Sequence, residues 1–428
     1  MMRALYRNAA VFRRGVLERL DVAVSGGRID RLARGISPMG FDRVFNLKDL
    51  LLVPGFVDVH VHLREPGFSY KETIETGTLA AARGGYSCVC AMPNVDPPPD
   101  DLMHLKVQLD AIERGAQVRV LPYGALTRGR KGEGAPADYA ALAPCVAGFS
   151  DDGVGVRDEA AMSACMRAVR SVGGIVAAHC EDESMLNGGY IHDGAYARRH
   201  GHKGIPSESE WRQLARDLEL VRRIGCRYHL CHASTKESVT LIREAKREGL
   251  DVSCETAPHY LVLTDEDMEE HGRFKMNPPL RSAADRDALI EGLNDGTVDM
   301  IATDHAPHSA EEKGRGLAGS AMGVVGLETA FPVLYTRLVE PGTVPLEVVL
   351  TALTDAPRRR FALPGGLPEG AEADFAVWDL HRAYAVDPKD FASMGRATPF
   401  EGWTVKGLCR MTMVGGRRVY GDLSDRAQ

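Results

Sequence analysis

The run VDVHVHLREPG, residues 57–67, holds the side chains best suited to chemistry. Val57, Val59 and Val61 alternate with Asp58, His60 and His62. On a strand of period two the valines take one face, and the acid and both imidazoles take the other. Two neutral imidazoles two residues apart can grip one divalent ion. In a closed barrel the valines are then expected against the helices, with His60 and His62 inside. Similar residues sit at the ends of other apolar runs: His179 in IVAAHCED, His232 in RYHLCHAST, Asp304 and His308 in DMIATDHAPH, and Asp151 and Asp152 in CVAGFSDDG. Five or six nitrogen and oxygen donors exceed the three protein ligands of one catalytic zinc. Two metals roughly 3.5–4 Å apart and sharing a carboxylate are therefore expected.

Only one of the adjacent aspartates should face inward. Gly148 and Ser150 share a strand face with Asp152, whereas Ala147 and the bulky Phe149 share one with Asp151. Phe149 belongs against helices, so Asp152 is the expected metal ligand and Asp151 a structural hydrogen-bonding group.

These residues need elements that bring them to one place. From about Leu51 to Phe361, eight short apolar runs alternate with helix-period stretches such as EAAMSACMRAVRSVG and SESEWRQLARDLELVRRIG, several ending in glycine after a basic last turn. Strands alternating with helices imply parallel β/α units. Eight of them imply an α/β fold with a closed (β/α)8 TIM-like barrel, whose chemistry gathers at the C-terminal strand ends. The two termini read instead as hairpins with glycine turns. Neither has enough apolar strand for a stable sheet of its own. Residues 1–54 and 365–428 are expected to combine into one small β domain beside a catalytic barrel spanning 55–364. The Gly-rich stretch from Glu311 to Gly323 reads as an irregular, mobile loop that orders over substrate and excludes water.

Composition narrows the partners. With 52 Lys+Arg against 59 Asp+Glu the chain carries a net charge of −7, which argues against a nucleic-acid footprint and for a small-molecule partner. No apolar run approaches the ~20 residues of a membrane span, and the start lacks an apolar signal core. Nine scattered cysteines suit reduced thiols, so a cytoplasmic location is expected. Cys88 and Cys90 lie in a strand-like run with no second cysteine pair, and read as buried thiols rather than zinc ligands. His192, His200 and His202, in a charged stretch, read as solvated, and His229 and His259 as packing or supporting groups.

Taken in order, GFVDVHVHLREPG at 55–67, AMPN at 91–94, FSDDG at 149–153, AHCED at 178–182, CHAST at 231–235, MNPPLR at 276–281 and ATDHAPH at 302–308 resemble the class I bacterial dihydroorotases of the amidohydrolase superfamily. The resemblance spans essentially the whole barrel. It implies a zinc-dependent cyclic amidase interconverting N-carbamoyl-L-aspartate and (S)-dihydroorotate in pyrimidine synthesis, with two zinc ions per subunit. It makes His60, His62, Asp152, His179, His232 and Asp304 the metal shell, with Asp304 also the proton shuttle for attack by metal-bound hydroxide. Arg64 can clamp a carboxylate bidentately. The resemblance adds His62, Asn94, Asn277 and His308, and Met322 and Gly323 through their backbones, as substrate contacts. Alone, Asn94 and Asn277 read as turn residues beside proline. Arg281 is left open. The resemblance also implies a homo-oligomer, commonly a dimer, and in some members association with aspartate carbamoyltransferase. Related hydantoinases and dihydropyrimidinases generally bridge their metals with a carboxylated lysine on the fourth strand, where this chain has GFSDDG and no lysine.

Overall fold

The computed structural model describes residues 2–427. Eight parallel strands close a barrel. In chain order they are Phe56–Val61, Tyr86–Ala91, Arg119–Pro122 continued by Gly124–Ala125, Phe149–Ser150, Ile175–Ala178, Arg227–Leu230, Val252–Thr256 and Met300–Ile301. The first and last strands meet through a parallel bridge between Val61 and His305, and Thr303 N donates to the Asp58 carboxylate. The third strand is broken at Tyr123, whose N–H bonds Ala91 on one side while Gly124 N bonds Gly148 on the other.

The helices between strands form where the apolar period runs. Glu208–Ile224 buries Leu214, Leu218, Val221 and Ile224, and it stops at Gly225, whose φ of +71° suits a residue without a Cβ. Glu159–Ser171 and Lys236–Arg247 start on Asp158 and Thr235, whose side chains accept from the backbone N–H three residues on.

The termini form one eight-stranded sheet. Its path runs Arg417–Gly421, Thr404–Val414, Phe375–Ala385, Leu51–Pro54, Arg3–Arg13, Val16–Ser25, Arg28–Ala33, with Arg43–Asn46 also on Arg3–Arg13. Leu51–Pro54 is the seam: it pairs parallel with the N-terminal strand and antiparallel with Phe375–Ala385. Tyr6, Phe45 and Phe375 pack on one side of this sheet, with Tyr6–Phe45 centroids 5.2 Å apart. On the other side Trp378 stacks on Phe56 at 5.5 Å and meets Phe331 at 4.6 Å, joining the sheet to the barrel. Gly85 makes room for the indole. A Cβ there would lie 2.4 Å from the Trp378 ring.

Two expectations fail here. Val57 and Val59 do not face the helices. They pack with Cys88, Cys90, Tyr123, Ile175, Ala177 and Met300 in the barrel interior, while Val61 joins the helix-facing core. The first strand slips register against the second between Asp58 and Val61, as a β-bulge does. That extra residue turns His60 inward together with Val59. Asp58, register partner of Val89, lies on the helix side, where burial pushes its carboxyl up to about 7. The second failure is the irregularity expected of the Gly-rich stretch. That stretch contains the helical turns Ala310–Lys313 and Gly316–Gly319, because Ser309 and Glu312 cap each other and Lys313 is buried.

Replacing Trp378 by alanine empties the junction between sheet and barrel. A loss of about 3–5 kcal/mol is expected from urea unfolding, and a smaller one for Trp378→Phe.

Candidate metal centre

The predicted donors converge at the C-terminal mouth of the barrel. Asp152 Oδ1 lies 3.4 Å from His60 Nε2, 3.6 Å from His179 Nδ1 and 3.5 Å from His232 Nε2, while its Oδ2 lies 3.6 Å from His62 Nε2. Asp304 Oδ1 is 2.9 Å from His62 Nε2 and 3.6 Å from His60 Nε2. All six side chains are buried. Asp152 thus stands between a pair, His179 and His232, and a trio, His60, His62 and Asp304, in the manner of a bridging carboxylate. Asp151 points elsewhere: its carboxylate accepts from Leu126 N, Thr127 N and Gly132 N.

The backbone works to aim these groups. Arg64, His232 and Asp304 have φ of +61°, +35° and +48°, a region that non-glycine residues seldom adopt and that clusters at functional sites. Each is the point where a strand end bends and throws its side chain over the barrel mouth.

Whether the cluster suits a cation follows from which nitrogens carry hydrogen. His60 Nδ1 bonds Glu255 Oε1 at 2.8 Å, and His62 Nδ1 bonds Asn94 Oδ1 at 2.7 Å. Both acceptors demand N–H at Nδ1, so each ring turns a lone pair at Nε2 toward the carboxylates. His60 Nε2, His179 Nε2 and Asp152 Oδ1 are buried with no hydrogen-bond partner. His179 Nδ1 faces His232 Nε2 at 2.9 Å. Lone pairs of nitrogen and oxygen confront one another with too few hydrogens between them, which is the donor set of a divalent metal site. The electrostatics agree. Burial works against a charged His60, yet Asp152 pulls the imidazole well above its ordinary range, so the pocket calls for positive charge at Nε2, which a proton or a metal ion can supply. Burial likewise opposes a charged Asp152, yet the surrounding histidines hold it well below the usual carboxylate range.

Glu255 went unread in the sequence. It sits inside the barrel beneath the cluster, with Oε1 on His60 and Oε2 on His229 Nε2 at 2.9 Å, and His229 Nδ1 continues to Ser253 Oγ at 2.8 Å. His60 and His229 hold Glu255 below the usual carboxylate range despite its burial. Its alternation with Ser253 and Cys254 offered only a faint signal, since an acid on a strand is usually an outward one.

Around this centre, Arg64 is buried, donates from Nε to Pro307 O at 3.1 Å, and has no carboxylate within ion-pair distance among the described residues. His308 Nε2 lies 3.3 Å from Arg64 Nη2 and 2.7 Å from Met322 O. Gly323 N bonds Lys275 O at 3.0 Å, and its φ of +132° with Ala306 packed against it excludes a side chain. Asn277 Nδ2 donates to Glu181 Oε2 at 3.0 Å, leaving a buried, partnerless Oδ1. Glu181 Oε2 also lies 3.5 Å from His179 Nε2. His259 is buried, and burial pushes it down to about 4. His192, expected in solvent, is buried instead, because Ile191–His192 pairs with Gly204–Ile205 and brings the ring against Arg281 at 3.3 Å. Arg281 itself is spent on Ser234 Oγ and Ile205 O. Cys88 and Cys90 are buried free thiols.

Comparison with known proteins points the same way. A family model described as dihydro-orotase-like matches residues 49–238. Proteins named dihydroorotase are similar over nearly the whole chain. That of Anoxybacillus flavithermus is 48% identical over 95% of each chain, and that of Bacillus caldolyticus 49% over 95% of this chain and 96% of its own. That of Geobacillus kaustophilus is 51% identical over 88% and 89%. Among solved structures, L-hydantoinase (dihydropyrimidinase) from Arthrobacter aurescens superposes with a TM-score of 0.90 at 26% identity, covering 98% of this chain and 96% of that one. Dihydropyrimidinase from Brevibacillus agri gives 0.86 at 20% identity over 99% and 96%, a likeness of fold.

Because Glu255 fixes the hydrogen on His60, Glu255→Gln is expected to weaken divalent metal retention roughly 10–100-fold. Metal analysis after dialysis against graded chelator checks this, with circular dichroism unchanged.

Proposed function

Since the chain belongs to the dihydroorotase family, we propose that it interconverts N-carbamoyl-L-aspartate and (S)-dihydroorotate, opening and closing a ring amide in pyrimidine synthesis. The observation that carries this reading is Arg64. A buried guanidinium without an acidic partner is costly unless a ligand supplies the charge, and the carboxylate of an acidic ring does so where a neutral hydantoin does not.

In this reading His60, His62, Asp152, His179, His232 and Asp304 hold the metal, which we assign as two zinc ions per subunit. A bound divalent metal supplies a water of pKa near about 7 and polarises the amide carbonyl. The chain's own groups do the rest. Arg64 anchors the carboxylate by charge-assisted hydrogen bonds, so the scissile amide lies over the cluster. Asp304, whose carboxylate is held in the ionised form by its histidine neighbours against its burial, takes the proton of the attacking water and returns it to the leaving ring nitrogen. In ring closure the same carboxylate passes the proton the other way. Among the described residues the Asn94 amide N–H2 has no hydrogen-bond partner while its oxygen holds His62, and the partnerless Oδ1 of Asn277 is an acceptor for a ring N–H. His62 and His308, with the backbones of Met322 and Gly323, complete the substrate contacts.

We place the division of the chain at 54/55 and 364/365, between the composite β domain and the barrel. No helix among the described residues is long and apolar enough to cross a membrane. All nine cysteines are free, which supports a reducing, cytoplasmic setting. A homodimer, and association with aspartate carbamoyltransferase, complete the proposal.

The test is ring opening followed on dihydroorotate and, in parallel, on dihydrouracil, hydantoin and allantoin. Turnover is expected on dihydroorotate alone, lost on chelation and restored by zinc. Asp304→Asn should lower kcat by about 10²–10⁴-fold, the range of a lost general acid–base. Arg64→Met should raise KM far more than it lowers kcat. Turnover restricted to the neutral rings would overturn the assignment.

A further inference from the structure

Beside the metal cluster, the loop after the first strand and the segment after Asp304 are joined by a cation that the mechanism above does not use. Lys71 Nζ lies 3.2 Å from His308 Nδ1 and 2.9 Å from Glu312 Oε1. Glu312 is fixed in turn: its Oε2 accepts from Ser309 N at 3.0 Å, and Tyr70 Oη lies 3.4 Å from Oε1. Lys71, Glu312 and His308 are all largely buried, with side chains 14%, 22% and 9% exposed. On the far side of the ring, His308 Nε2 has Met322 O at 2.7 Å and Arg64 Nη2 at 3.3 Å.

Nδ1 lies 3.2 Å from Lys71 Nζ and 3.5 Å from Glu312 Oε2, which is already held by Ser309 N; the nearer ammonium has only donors, so Nδ1 accepts from it as a lone pair. A carbonyl has only acceptors, so Nε2 facing Met322 must carry the hydrogen. Both sides select one tautomer. Burial, and after it the charges of Arg64 and Lys71, push His308 down to about 3, so the ring stays neutral. The choice matters to Arg64. With hydrogen on Nε2 and given to Met322 O, the ring turns no lone pair toward Arg64 Nη2, and the guanidinium keeps its hydrogens for a carboxylate. With hydrogen on Nδ1, the Nε2 lone pair would take the Arg64 Nη2 hydrogen for itself and turn negative density toward an incoming carboxylate.

We propose that Lys71, braced by Glu312, is a positioning residue that locks His308 in its Nε2–H form and so keeps Arg64 free for the substrate carboxylate. The proposal rests on the reading of the site as one for dihydroorotate. It adds a specificity device whose bracing residues, Lys71 and Glu312, touch neither metal nor ring.

The test uses the full-length, metal-loaded protein labelled with 15N-histidine, the His308 resonances being identified by their loss in His308→Gln. Between about pH 6 and pH 8, where an ordinary histidine titrates, His308 is expected to show an unprotonated Nδ1 and a protonated Nε2 throughout. In Lys71→Met the spectrum should move toward the other tautomer or toward imidazolium. KM for dihydroorotate should rise by about tenfold or more, as for a lost hydrogen bond to a charged group, with kcat changed far less. Lys71→Arg, which keeps the cation and its donors, should recover part of the KM. A protonated Nδ1 in the parent protein, or a Lys71→Met protein with unaltered resonances and KM, would overturn the proposal. The parent spectrum decides the tautomer even if the methionine variant fails to fold. Absence of dihydroorotate turnover in the parent would instead sink the functional reading and leave the tautomer measurable.

Discussion

Six buried donors crowd the mouth of the barrel with fewer hydrogens than lone pairs, and much of the structure is arranged to sustain that imbalance. In water such groups would be solvated apart. Here Asp152 alone has four imidazole nitrogens within 3.6 Å. Holding them together requires outer partners that consume the hydrogens on the far side of each ring. Glu255 does this for His60 and Asn94 for His62. It also requires strand ends bent into uncommon backbone conformations at Arg64, His232 and Asp304. A cation satisfies the centre that these constraints create, which is why the cluster and its supports form one unit rather than a set of independent ligands.

The same logic extends outward to the substrate groove. Arg64 is a buried cation with no acid within ion-pair distance among the described residues, and its neighbour His308 is held neutral between a lysine and a carbonyl. Positive charge is thus concentrated on one wall while the metal-binding wall is rich in carboxylate. In the proposed reading that contrast orients a ring bearing its own carboxylate, with its charged end on Arg64 and its amide over the cluster. The hydantoinase-like fold is shared with enzymes named for neutral rings, so the barrel itself does not choose the substrate. Arg64 and His308, the residues proposed to do so, stand in the segments after the first and last strands. The sheet built from both termini stands apart from this chemistry. Its tie to the barrel runs through the apolar seam of Trp378, Phe56 and Phe331.

Much was legible from the chain. Eight apolar runs separated by helix-period segments became eight barrel strands, and His60, His62, Asp152, His179, His232 and Asp304 meet at the barrel mouth, while Asp151 turns aside. The choice of Asp152 over Asp151 followed from Phe149, too large for the interior, and the geometry places Phe149 against Tyr139 outside it. The pairing of the termini followed from how little apolar strand either contained. Strict alternation in VDVHVH, however, misdirected the valines, because a bulge shifts the phase by one residue and leaves no mark in the pattern of apolar and polar letters. The glycines of 311–323 likewise masked a capping box.

What the sequence by itself determined was the inventory: the donor types, their order at strand ends, and a barrel to gather them. Those are local properties, written in periods of two and 3.6 and in short motifs. What only the tertiary structure decided was which atom of each residue faces the centre. Glu255 lies 195 residues from His60, and Lys71 237 residues from His308. A hydrogen bond across such a separation fixes a tautomer through the geometry of two strand ends meeting. No periodicity within either segment carries that information.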